Sequence, residues 1–205
     1  DAKVETSYST RTMTPEFVDG VTYVNMVNEA FSTRSQPIPY TDEEVELFKN
    51  GLDPELYPNV DWMDMILKKG APIYRATLNL SGGGTTARYF VSASYVDEGL
   101  EKYNTNANYR RWNYRMNIDL NLTKTTLLKV GISGSLDKQN QPGGSASQIW
   151  ISALSYNPIA TPVRYKDGKW AAQGTNNQIN PWMLVTQMGY QEKWNNKIQS
   201  TANLG

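Results

Sequence analysis

Between Trp112 and Leu122 the chain alternates without a miss: Trp112, Tyr114, Met116, Ile118, Leu120 and Leu122 are interleaved with Asn113, Arg115, Asn117, Asp119 and Asn121. A period of two places the two sets on opposite faces of an extended strand. Strands of soluble proteins usually run about 5–6 residues, whereas a tilted strand crossing a bilayer needs about 9–11. Alternation this long predicts a strand with hydrocarbon on one side and water on the other. Turning the Arg115 face to lipid would cost about 2–4 kcal/mol for that side chain alone at the midplane. The apolar row is therefore assigned to lipid, and Asn113, Arg115, Asn117, Asp119 and Asn121 to a water-filled lumen.

The pattern recurs. Val4, Thr6 and Tyr8 alternate with Lys3, Glu5 and Ser7, and Tyr74, Ala76, Leu78 and Leu80 with Arg75, Thr77 and Asn79. Tyr89, Val91, Ala93 and Tyr95 alternate with Phe90, Ser92 and Ser94, Leu128, Val130, Ile132 and Leu136 with Lys129, Gly131, Ser133 and Asp137, and a sixth strand begins around Ile198, Ala202 and Leu204. The connections alternate too: Ser81–Arg88 and Thr123–Thr126 are short, while those from about Met13 to Ile73, Asp97 to Arg110 and Lys138 to Lys193 are long. Outer-membrane barrels pair short periplasmic turns with long external loops, which puts the long connections outside the cell. Trp112 and Tyr114, with Tyr74 and Tyr95 at comparable strand ends, are expected to form an interfacial aromatic girdle.

The first external loop, 14–72, carries helix signals. Thr14-Pro15-Glu16 reads as a helix start ahead of Phe17, Val21, Val24, Val27 and Phe31. Thr41-Asp42-Glu43-Glu44 is a capping box with Asn50-Gly51 as the stop, and a third short helix is expected from Asp61 to Lys69. The last external loop, 138–193, is broken by Gln141-Pro142-Gly143-Gly144, Asn157-Pro158 and Asn180-Pro181. Within it, Val163–Trp170 forms a small hairpin on Asp167-Gly168. Trp150, Trp170 and Trp182 also lie there. They are candidates to stack on sugar rings or meet a covering protein, beside the plainer reading that each packs within the loop.

Chemistry is thinly represented. With no Cys and no His, thiolate chemistry, disulfides and the commonest general base and metal ligands are absent. The 20 basic and 20 acidic residues cancel, leaving no basic footprint for nucleic acid. The longest apolar run, Trp182–Val185, is far too short for a membrane helix. Gly82-Gly83-Gly84 precedes a strand, so it reads as a hairpin turn and not a phosphate cradle. Asp61 with Asp64, or Glu43 with Glu44, could be posed as a glycosidase pair, but helix caps and solvated faces account for them. Neither a catalytic role, a metal nor a cofactor is expected.

The series Tyr57-Pro58-Asn59-Val60-Asp61-Trp62, Leu80-Ser81-Gly82-Gly83, Tyr89-Phe90-Val91-Ser92, Tyr95-Val96-Asp97-Glu98-Gly99 and Tyr109-Arg110-Arg111 with Arg115–Asp119 resembles the SusC/RagA-type TonB-dependent transporters over nearly the whole chain. The resemblance implies an all-β membrane protein whose antiparallel barrel has 22 strands and an N-terminal plug. It further implies import of glycans or peptides across a bacterial outer membrane, energised by the TonB-ExbB-ExbD system, beneath a SusD-like surface lipoprotein. Residues 1–205 would supply the first six or so strands after the plug. Six strands cannot close such a barrel, so the plug and the remaining strands are expected from sequence outside this chain. The rival reading is a soluble secreted β-sandwich that binds carbohydrate through exposed Tyr and Trp.

Overall fold

The computed structural model describes residues 1–99, 107–171 and 179–205. Six strands, β1 (Ala2–Thr10), β2 (Gly70–Gly83), β3 (Ala87–Gly99), β4 (Asn108–Asn121), β5 (Leu127–Pro142) and β6 (Tyr190–Leu204), form one antiparallel meander in chain order. β2 to β6 are 13 to 16 residues long. Each is therefore longer than a bilayer crossing requires. The surplus projects beyond one end of the sheet, where the strands continue past the expected loop boundaries at Gly70, Asn108, Pro142 and Tyr190. Much of the long connection expected between 97 and 110 lies outside the described residues.

The registers join the separate alternations into continuous rows. Ala76 pairs with Tyr95, Tyr95 with Trp112 and Trp112 with Leu136; Leu80 pairs with Val91, Val91 with Met116 and Met116 with Ile132. All the apolar sets read from sequence therefore share one face. From the Trp112 row to the Leu120 row that face carries no charged residue. Eight steps of about 3.4 Å make about 27 Å of strand, or about 21 Å along the normal at a tilt of about 40°.

Cross-strand tyrosines fill the gaps on this face. Tyr89 lies over Gly82, its partner on β2, and Tyr114 over Gly134, its partner on β5. A Cβ on Gly134 would collide with the Tyr114 hydroxyl and the Lys197 carbonyl. The glycines thus admit rings that would otherwise stand off the sheet. At the short end, Gly83 adopts φ +147°, which only glycine takes readily, and Gly84 N–H donates to Ala87 O at 2.8 Å to close the β2–β3 turn.

The packed core lies in the outer connections. Helix α1 (Gly20–Ser32) packs on α2 (Asp42–Asn50), where buried Val24 and Phe48 sit with Tyr40 and Tyr57 edge-on to Phe48. A second cluster joins α3 (Trp62–Ile66), α4 (Ala146–Ser155) and α5 (Pro181–Thr186) through Ile66, Ile149, Leu184 and their neighbours. The capping box of α2 forms as expected, with Gly51 as its left-handed stop. α1 starts later than Thr14-Pro15: Asp19 is its N-cap, accepting from Thr22 N at 2.8 Å. The extended Asp19 backbone supplies a start that Pro15 does not. α3 is shorter than expected because β2 takes over at Gly70. α4 and α5 were not read from sequence as helices, although Ser145 and Asn180 cap them in the usual way.

Gly134→Val should lower stability of the full-length protein by about 1–3 kcal/mol through overpacking, measured by urea titration in lipid or detergent. Gly84→Val, with open space around it, should shift it by less than about 0.5 kcal/mol.

Candidate functional site

Two surfaces could act on a ligand: the polar face of the sheet, and the helical layer beyond its outer end. On the polar face, Lys3, Thr77, Ser94, Asn113, Ser135 and Lys197 form one row, and Asn79, Ser92, Arg115, Ser133 and Gln199 the next. The five residues assigned to the lumen, Asn113, Arg115, Asn117, Asp119 and Asn121, lie together on this face of β4. A shallow groove of about 790 Å³ runs across its middle, lined by Ser92, Arg111, Asn113, Arg115, Ser133 and Lys197 among others.

Hydrogen bonds brace part of this surface. Asn113 Nδ2 donates to Ser94 Oγ at 3.1 Å and Arg111 Nε to Asn113 Oδ1 at 2.8 Å. Arg111 also pairs with Asp137 at 3.3 Å. Asn121 Nδ2 instead reaches Thr85 O at 2.5 Å, so it ties two turns together at the far end.

The opposite face changes character at its outer end. Tyr95 and Trp112 stack with centroids 4.3 Å apart. One row beyond, Arg110 pairs with Asp97 at 3.1 Å. Lys138 pairs with Glu192 at 2.8 Å and sits 4.5 Å from the Trp194 ring centre. Aromatic rings are followed by neutralised ion pairs, the order expected where hydrocarbon gives way to headgroups. The aromatic residues expected at comparable strand ends lie in neighbouring rows of this face, with Tyr74 in the ion-pair row, Tyr114 one row inward, and Trp194 an addition that β6 is too sparsely patterned to reveal.

The three loop tryptophans have different settings. Trp182 packs partly buried against the α3–α4–α5 cluster. Trp170 is bridged to Arg164, whose guanidinium lies 4.3 Å from its ring centre, forming the Asp167-Gly168 hairpin. Trp150, 39% exposed on α4, is the most accessible of the three and the most available for contact. The buried aromatic pair is a different one: Trp62 and Tyr156, edge to face at 4.8 Å, with Trp62 Nε1 donating to Asn157 O at 3.3 Å. Beside it a cleft of about 580 Å³ opens toward Phe17 and Tyr23. Burial raises the Tyr156 hydroxyl above the ordinary phenol range, so it stays protonated against Thr161 at 3.0 Å.

Asn180 organises the last loop. Wholly buried, it accepts from Trp182 N at 3.0 Å and Met183 N at 3.1 Å, and donates to Val163 O at 3.1 Å and Ala171 O at 2.8 Å. Read from sequence only as a breaker, Asn180-Pro181 carries a usable signal: Asn before Pro is an N-cap followed by an N1 proline. The first and last loops are joined as well, by Val60 N to Pro158 O at 3.0 Å, by Lys166 N to Glu55, and by Lys166 to Asp53 at 3.7 Å.

The chain is similar to TonB-dependent receptor P26 of Formosa agariphila, with 28% identity over 162 residues, which are 77% of this chain and 14% of that protein. It thus spans a small part of the length of the curated relative it matches. No protein-family model matches the chain. The likeness is to one stretch of a TonB-dependent receptor, and it points to that class at the coarse level alone. It does not reach the SusC/RagA branch.

Asn180→Ala should cost about 2 kcal/mol or more of local stability, since it removes a cap and strands buried partners. Limited proteolysis should then cut between 143 and 189 at least tenfold faster in the variant, while strand protection in hydrogen exchange is unchanged.

Proposed function

We propose that this chain forms part of the wall and outer rim of a TonB-dependent outer-membrane importer of the SusC/RagA kind. Further strands and a plug come from the rest of the protein. The observation that carries the reading is the uncharged, solvent-accessible band on one sheet face, where Leu80 is 52%, Trp112 53% and Ile198 76% exposed. Across six strands about 4.8 Å apart, the band is about 27 Å long on β3 to β6, about 20 Å on β2 and about 7 Å on β1, a patch of about 500–650 Å², at the upper end of the about 300–600 Å² a soluble monomer usually leaves bare. Its height along the normal, about 21 Å, approaches the apolar band of about 25 Å found on outer-membrane barrels.

The sandwich reading would cover this band with a second sheet, and the described residues make one. It would leave the Arg115 face wet, as the importer does, but it gives no account of the aromatic and ion-pair boundary on the other face. In the importer, the polar rows line the passage and the helical layer forms the mouth. Trp150, the most exposed of the three loop tryptophans, offers with Trp170 and Trp182 contacts to a SusD-like lipoprotein or to the imported glycan or peptide. Coupling to TonB-ExbB-ExbD would run through parts outside this chain.

Spin labels on the full-length protein at Ile118 and Asp119 should report oxygen-rich and water-rich surroundings respectively; equal accessibility at the two would sink the reading. Met116→Arg should destabilise the barrel by about 2–4 kcal/mol, whereas Asn117→Arg, on the wet face, should be tolerated. Detergent-dependent extraction and a heat-shifted mobility on gels are the companion measurement.

A further inference from the structure

The overall balance of 20 bases and 20 acids conceals a segregation that only the strand registers reveal. On the polar face, β1 to β6 present eight bases against four carboxylates. The carboxylates are mostly answered: Glu5 pairs with Lys3 at 2.7 Å, Asp137 with Arg111 at 3.3 Å, and Asp119 stands opposite both Arg88 and Lys129. Arg115 and Lys197 are different. Arg115 stands opposite Ser92 and Ser133, and Lys197 opposite Ser135, with no ion pair to either among the described residues. Both line the groove of about 790 Å³ at mid-height of the wall.

The opposite face holds two bases and two acids, all at its outer end and joined in pairs. The compensating acidity lies in residues 11–69, eleven carboxylates against five bases. That segment connects the outer strand ends, and water screens its field over about 8 Å at physiological salt.

Resting on the importer reading above, we propose that the groove around Arg115 and Lys197 is a passage subsite for anionic glycans, oligomers bearing carboxylate or sulfate groups. Two unpaired cations about 10–12 Å apart, across two strand spacings, suit an extended chain with repeated charges better than a single sugar. Much of the remaining lining, Ser92, Ser133, Ser135, Asn113 and Gln199, offers hydroxyl and amide groups for sugar hydroxyls, and Phe90 on the same face offers a ring to stack on a sugar. It offers few of the apolar pockets by which peptide side chains are held. Guanidinium and ammonium groups both bind such anions, the former in a bidentate fork.

The test is calorimetry on the full-length receptor in detergent, with hexagalacturonate, a sulfated galactan hexamer, maltohexaose and hexaglutamate as probes. At least one anionic sugar hexamer should bind tenfold or more tighter than maltohexaose, and should weaken as salt rises. The double variant Arg115→Gln/Lys197→Gln should abolish that tenfold preference, and Arg115→Lys/Lys197→Arg should restore most of it, with maltohexaose binding unchanged throughout. Equal or tighter binding of maltohexaose or hexaglutamate, no binding of either anionic hexamer, or an unaffected double variant would overturn the proposal. A heat-shifted mobility on the same preparations separates the two readings: its loss in the parent protein removes the importer, while its presence without anion preference removes this subsite alone.

Discussion

Everything in this structure follows from the backbone ladder that holds six strands in unbroken register. Because side chains alternate strictly, one residue of slip between neighbours would send an entire apolar row into the wet face. The ladder sets Val91, Met116 and Ile132 side by side and Ser92, Arg115 and Ser133 side by side. A sheet so divided needs an apolar medium on one side and water on the other. The free energy of placing an arginine in hydrocarbon, about 2–4 kcal/mol, makes the choice between faces one-sided.

This division explains where the molecule keeps its packed core. In a soluble protein the apolar face of a sheet is buried against another layer. Among the described residues that face stays open, and close packing lies in the helices joining the outer strand ends, around Ile66, Ile149 and Leu184 in one cluster and Val24 and Phe48 in the other. The two long loops brace one another through Val60, Pro158, Asp53 and Lys166. A rigid rim is a suitable platform for recognition, since contacts made by loops gain precision when a scaffold fixes them.

The same registers convert a neutral composition into a polarised one. Charges that cancel along the chain separate into a cationic face, an acidic outer segment and an apolar band without charge. For a passage, this distribution matters more than the net value, because a solute in the groove meets Arg115 and Lys197 at short range and the outer acids only through screening water.

The amino-acid sequence by itself determined five strands with their faces, the end of a sixth and the helix α2. A period of two and a capping box are local signals, written in residues that are neighbours in the chain. It also placed Asn113, Arg115, Asn117, Asp119 and Asn121 on one surface, since parity within a single strand suffices. The exchange at Asp19, where the helix starts five residues after the Thr14-Pro15 signal, was decided by Asn59, whose side chain accepts from Gly20 N at 2.7 Å across 39 residues of sequence. The same is true of Asn180, whose four partners come from three separate segments, and of the Trp62–Tyr156 pair. Which cations of the polar face lack a counter-charge among the described residues also required the tertiary structure: register sets serines opposite Arg115 and Lys197, and register is a relation between strands that no single strand contains.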